Sequence, residues 1–200
     1  MNHLIIYAHP NPDSLSHAYL EVMKEQTRAN GHDVVVRDLY QMHFKPVDYA
    51  ADFEKSRRGE YPEEILTEQE YLRKADLVSL IYPVWWGSMP AILKGYFDRV
   101  FTRGFAFDYH PEKGLLKLLE GKKALVVNNM GDSRKHADAS GMTDSIKNFI
   151  RSGVFGFCGI ETVEHLLFGN ATTRDKTVRI GYIEEVREKI SKHLPIEATV

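Results

Sequence analysis

A chain of 200 residues favours one domain over 1–200 and, at this size, buries roughly 70% of the surface it exposes unfolded, which is ample for a core. With 26 basic and 28 acidic residues close to balance, there is no electrostatic footprint for nucleic acid or for an acidic membrane surface. The single cysteine, Cys158, excludes an internal disulfide and fits a reducing compartment; inside G-V-F-G-F-C-G it reads as a small buried thiol rather than a nucleophile.

The chain enters Leu4-Ile5-Ile6-Tyr7 without a basic leader, and no run nears the roughly 20 apolar residues of a membrane span, so a cytoplasmic protein is expected. Leu4–Ala8 is a short apolar strand that breaks at His9-Pro10-Asn11-Pro12. Asp13, Ser14 and Ser16 supply cap chemistry for a helix carrying Ala18, Val22, Met23 and Ala29, which Asn30-Gly31 closes. Asp33–Leu39, rich in valine, is a second strand, and the β-α-β crossover makes parallel pairing the default. Tyr40–Tyr61 loses periodicity and reads as a long loop, functional or a subunit contact.

Helical character returns over Pro62–Lys74, with Glu63 and Glu64 in the first turn and Arg73 and Lys74 in the last. Leu77–Tyr82 is the third strand. Pro90 then stands where a first helical residue belongs, and Ala91, Ile92, Leu93, Tyr96, Phe97, Val100 and Phe101 share one helical face. A loop through His110-Pro111-Glu112-Lys113-Gly114 leads to a fourth strand, Lys123–Asn128. A polar loop over Asn129–Ser140 follows, then a helix from Met142 to Ser152 stopped by Gly153. Ile160–Phe168 is a fifth strand and Thr172–His193 a final helix. Five strands alternating with helices predict a doubly wound α/β fold, a parallel sheet in the order 2-1-3-4-5 with helices on both faces.

In such a sheet ligands bind beyond the carboxyl ends of the strands, so the loops after the first, third and fourth strands converge on the expected site. The first, His9–Ser16, ends at a helix amino terminus suited to a phosphate; it has neither G-x-G-x-x-G nor a Walker pattern, so hydroxyls, backbone and His9 would make the contacts. The second is the richest: Pro83 stops the strand ladder, Trp85 and Trp86 follow, and Gly87-Ser88 bend the chain back. A rigid proline and two indoles suit a flat aromatic ligand with polar edges, flavin being the natural candidate; the plainer reading makes Trp85 and Trp86 core or subunit-contact aromatics. The third, Asn129-Met130-Gly131-Asp132-Ser133, offers amides and a glycine to the edge of a ring, or is a plain turn. There is no G-x-S-x-G elbow, no H-E-x-x-H and no cysteine pair for zinc. His3, His32, His43, His165 and His193 lack ligand spacing and read as surface or loop residues, so no metal is expected.

H-P-N-P-D-S-L-S, Y-P-V-W-W-G-S-M-P-A-I-L-K-G-Y-F-D-R-V-F and G-F-A-F-D-Y resemble the flavodoxin-like NAD(P)H:quinone oxidoreductases, the family that includes mammalian quinone reductases and bacterial modulators of drug activity. The similarity runs in order to about Phe168. The resemblance implies a homodimer with a flavin, FMN or alternatively FAD, at each of two sites on the subunit contact, and NAD(P)H as co-substrate. It puts His9, Ser14, Leu15 and Ser16 at the flavin phosphate and Pro83, Val84, Trp85, Trp86 and Gly87 along the ring. Asn129, Met130 and Gly131 fall at a T-G-G-like turn near the ring's polar edge, and Phe107 and Tyr109 cover the partner's site. The family's turn is here Asn-Met-Gly, and Ser140 stands where some members carry a histidine, with His136 in the same loop as its substitute.

The expected chemistry is ping-pong hydride transfer from NAD(P)H through flavin to a quinone or similar acceptor, with Asn129, Gly131 and His136 stabilising charge at the ring edge. Two other functions fit the same fold: a flavodoxin-type electron carrier, and a regulatory oxidoreductase subunit of an ion-efflux system.

Overall fold

The computed structural model describes residues 1–173 and 175–196. Arg174, inside the expected final helix, and residues 197–200 of the expected domain lie outside the described residues. The elements, in order, are β1 (Asn2–Tyr7), α1 (Leu15–Ala29), β2 (Asp33–Asp38), α2 (Ala50–Ser56), α3 (Glu63–Lys74), β3 (Leu77–Pro83) and α4 (Ala91–Val100). Then come β4 (Phe107–His110), β5 (Gly114–Lys117), β6 (Lys123–Asn129), α5 (Arg134–Ala139), α6 (Met142–Asn148), a π-helical stretch over Phe149–Phe155, α7 (Gly156–Cys158), β7 (Glu161–Phe168) and α8 (Lys176–His193).

Five strands form one parallel sheet in the order β2-β1-β3-β6-β7, the predicted 2-1-3-4-5 arrangement with a hairpin inserted between the third and fourth strands. The central strands are apolar at successive positions because both faces are covered. Leu4, Ile6, Val78, Leu80, Ala124 and Val126 face Leu72, Leu93, Phe97, Ile150 and Phe155. Ile5, Tyr7, Leu77, Ile81, Leu125 and Val127 face Tyr19, Met23, Val186 and Ile190 of α1 and α8. Parallel register aligns the strand ends, with Tyr7 opposite Ile81, Pro83 opposite Asn129, and Asn129 opposite Phe168. The loops that follow therefore leave from one edge.

Several expectations needed correction. Tyr40–Tyr61 is not all loop: it contains α2, which buries none of its residues and so writes no apolar stripe. The segment after α4 forms a β4–β5 hairpin, Phe107 pairing with Lys117 and His110 with Gly114; its turn is closed by His110 Nδ1, which accepts from the Glu112 and Lys113 N–H groups, instead of by an Asn-Gly signal. The polar loop holds α5, capped by the Ser133 hydroxyl. Gly153 does not end its helix. An interior glycine costs only about 1 kcal/mol against alanine, and buried Ile150 and Phe155 anchor the chain on either side of it. The stop is Gly159, at φ 91°, where a Cβ would lie 2.6 Å from Glu120 Cγ.

Of the five histidines read as surface or loop residues, only His43 is exposed. His3 is 1% exposed in the sheet, bonded to Thr27 Oγ1 at 2.8 Å and Ser79 Oγ at 2.7 Å. Burial, with a smaller effect of His32, lowers its pKa to about 3. His32 is buried with Nε2 on the Pro195 carbonyl, and His165 and His193 are half-buried. Cys158 is buried as expected, and burial raises its pKa to about 11. Among the described residues no helix is long and apolar enough to cross a membrane, and no cluster of three or more histidine, cysteine or acidic side chains could hold a metal ion.

Candidate functional site

The first loop is stiffened by Pro10 and Pro12 and by local hydrogen bonds: His9 Nδ1 accepts from the Asn11 N–H at 3.0 Å, and Asn11 Oδ1 accepts from the Asp13 N–H at 2.9 Å. Ser14 caps α1, its hydroxyl accepting from the His17 N–H at 3.1 Å. The next two N–H groups, of Leu15 and Ser16, make no hydrogen bond among the described residues, leaving two donors at the positive end of a 15-residue helix. Burial lowers the pKa of His9; the hydrogen bond with the Asn11 backbone opposes this, the charge of His17 adds to it, and the net shift favours the neutral ring.

In the second loop Trp85 and Ser88 exchange backbone hydrogen bonds at 2.9 and 3.0 Å around a tight turn whose central residues, Trp86 and Gly87, take φ values of 52° and 72°. That is the sign pattern of a type I′ turn, for which a tryptophan is a strained occupant. Its indole stands clear of the surface at 104% relative exposure, and Trp85 is 41% exposed. Beneath the turn lies Met142, the first residue of α6; a Cβ on Gly87 would meet its sulfur at 3.2 Å. Met142 was not anticipated, because nothing local ties it to the tryptophans.

The third loop leaves β6 at Asn129. The Met130 N–H is used by the Phe168 carbonyl at 2.9 Å, which removes it as a donor, whereas the Gly131 N–H makes no hydrogen bond among the described residues and the space a Cβ would take there is open. His136 lies on α5 with its side chain 71% exposed and Nδ1 paired to Asp132 at 2.7 Å. Ser140 caps the end of α5.

These loops touch one another. The His9 and Trp85 ring centroids are 6.1 Å apart, the Val84 N–H donates to the Asn129 carbonyl at 2.8 Å, and the Ser16 hydroxyl donates to Asn129 Oδ1 at 2.8 Å. His9, Ser14, Leu15, Ser16, Pro83, Val84, Trp85, Trp86, Gly87, Asn129, Met130 and Gly131 thus share one edge. Phe107 and Tyr109 do not join them within the chain: Phe107 packs on Phe157 at 5.0 Å and on Tyr109 at 5.9 Å, out on the hairpin, and Tyr109 is 53% exposed. A cleft of about 1080 Å³ lies elsewhere, between α2, α3 and the end of α4. Its buried cation is already paired, Arg99 with Asp48 and Glu64, so it offers no evident chemistry.

Comparison with known proteins agrees with this architecture. A family model described as flavodoxin-like fold matches residues 1–194. A Haemophilus influenzae protein named an uncharacterized NAD(P)H oxidoreductase is 37% identical over 197 residues, covering 97% of this chain and 96% of that protein. Mouse ribosyldihydronicotinamide dehydrogenase [quinone] is 30% identical over 221 residues, covering 98% and 94%. The solved NAD(P)H:quinone oxidoreductase of Methanothermobacter marburgensis superposes with a TM-score of 0.86 at 27% identity, covering 99% of both chains. The chain belongs to the flavodoxin-like fold family, in the branch of NAD(P)H oxidoreductases of the quinone reductase type.

Proposed function

We propose that this protein is a flavin-dependent NAD(P)H:quinone oxidoreductase. The observation that carries the reading is the joining of three loops at the carboxyl edge, each with unspent recognition groups: two N–H donors at α1, two exposed indoles after β3, and the open Gly131 N–H after β6. Orphan donors at one end, aromatic surface in the middle and an unobstructed backbone donor at the other match a phosphate, a ring and a polar ring edge in turn. A bound flavin, FMN in the preferred form and FAD in the alternative, would supply hydride transfer between NAD(P)H and the acceptor.

The chain's own part is to hold and shield. Ser14, Leu15, Ser16 and His9 bind the phosphate end, while Pro83, Val84, Trp85, Trp86 and Gly87 wall the ring. Asn129 and Gly131 donate toward its polar edge, with His136 as a further donor. Donor and acceptor would meet the flavin in turn at the exposed indole face, as in a ping-pong sequence. In a homodimer Phe107 and Tyr109 would cover the partner's site, consistent with their absence from the site of their own chain. An electron carrier has one observation in its favour, the fully exposed Trp86.

The test is an absorbance spectrum of the pure protein with mass identification of the released cofactor, followed by NAD(P)H under argon. A yellow protein bleached rapidly, and re-oxidised by added quinone after NAD(P)⁺ is removed, supports the enzyme. Slow or absent bleaching leaves the carrier, and a colourless protein that takes up neither FMN nor FAD overturns both.

A further inference from the structure

Adjacent asparagines end β6, and they are used differently. Asn128 is fully buried and employs both ends of its amide: Nδ2 donates to the Tyr82 carbonyl at 3.3 Å, and Oδ1 is bonded to His165 Nε2. Asn129 is 7% exposed, its backbone carbonyl is taken by the Val84 N–H, and its Oδ1 accepts from the buried Ser16 hydroxyl. Its Nδ2 makes no hydrogen bond among the described residues, yet it is not among the side-chain atoms sealed from solvent without a partner. With its oxygen fixed by Ser16 and its nitrogen open to solvent, this amide is a preoriented donor beside the open Gly131 N–H, and a ligand acceptor replaces water there without reordering the side chain.

We infer that the Asn129 side-chain amide is a ligand-binding donor at the edge where the three loops meet, and that Ser16 is its positioning residue. The inference rests on the proposed flavin reading and refines it in two ways. The Ser16 hydroxyl is committed to Asn129, so Ser16 offers an anion at α1 its N–H alone. The donor set at the ring edge becomes Asn129 Nδ2 with the Gly131 N–H, since the Met130 N–H is already spent. A donor here favours the form of the ring with more negative charge at that edge, the reduced form.

The experiment is a double-mutant cycle on Ser16→Ala and Asn129→Ala, read as FMN affinity of the apoprotein and as the two-electron midpoint potential of the loaded protein. Asn129→Ala is expected to reduce the preference for reduced over oxidised flavin about tenfold, which is about 30 mV for a two-electron couple. Ser16→Ala should produce part of that shift, and the double variant should add nothing to Asn129→Ala alone. A bond that merely holds the fold would show its coupling in the thermal midpoint and none in the potential. If Asn129→Ala does not fold, the near-isosteric Asn129→Asp keeps an acceptor for Ser16 and loses the donor, with a shift of the same sign expected. Wild-type affinity and potential in Asn129→Ala, or in Asn129→Asp, overturn this inference alone. A wild-type chain that binds no flavin overturns it together with the function it rests on.

Discussion

Trp86 carries the strain of the site. Positive φ costs a residue other than glycine roughly 1–2 kcal/mol, and asparagine less. Such outliers persist where function holds them. Trp86→Asn would create Asn-Gly, the favoured pair for a type I′ turn. The urea midpoint is expected to stay level or rise by about 1 kcal/mol of stability, while flavin affinity falls at least tenfold through loss of the exposed indole. Equal flavin affinity would show that the strain serves something else. The tryptophans and the turn were legible in P-V-W-W-G-S, but the φ was not, since local rules place positive φ on glycine or asparagine and here a bridge between Trp85 and Ser88 imposes it on an indole.

Among the elements, α4 must be held where the tryptophan turn can lead into it, and the segment after β2 does this from outside. Arg99, 7% exposed, bonds Asp48 and Glu64 at 2.9 Å each and the Lys45 carbonyl at 2.7 Å. One turn earlier the backbone of Pro46 lies directly on Gly95, where a Cβ would sit 2.1 Å from its carbonyl oxygen. Gly95→Ala should therefore destabilise by about 2 kcal/mol in chemical denaturation, because overpacking against backbone outweighs the gain of about 1 kcal/mol in helix propensity. A neutral or stabilising result would mean that the segment can lift away. The sequence marks Gly95 as a weak point in a helix; only the packing reveals that its missing side chain is required.

At the scale of the molecule, acid sensitivity follows from buried bases. Burial holds both His3 and His165 at a pKa of about 3, against 6.5 for the free side chain. Below pH 6.5 the unfolded chain binds protons that the folded chain refuses, so stability falls as pH drops toward 3, by up to about 1.4 kcal/mol per pH unit for each histidine. Glu164 extends the loss further down: burial opposes its charge, but Lys192, His193 and Lys189 outweigh that and hold it at about 2, so its contribution disappears as pH falls from 4.5 through 2. Urea midpoints at pH 7 and pH 5 should differ accordingly, and His3→Asn should reduce the slope; a flat profile would contradict the neutral buried rings. Ligand linkage acts in the other direction. FMN at 100 times its Kd is expected to add about 2.7 kcal/mol, raising the thermal midpoint by roughly 5–10 °C, and no change would count against a flavin site.

The amino-acid order alone determined the five core strands, their sequence across the sheet and the loops that leave its carboxyl edge. A parallel strand buried on both faces writes itself as a continuous apolar run, and a crossover helix as a capped periodic one, so both are local signals. The tertiary structure alone decided that Ser16 reaches an asparagine 113 residues away, that His3 is enclosed between Thr27 and Ser79, and that Phe107 and Tyr109 stand apart from the site of their own chain. Those outcomes depend on which side chains the sheet register and the packed helices bring face to face, a constraint between distant segments that no local pattern records.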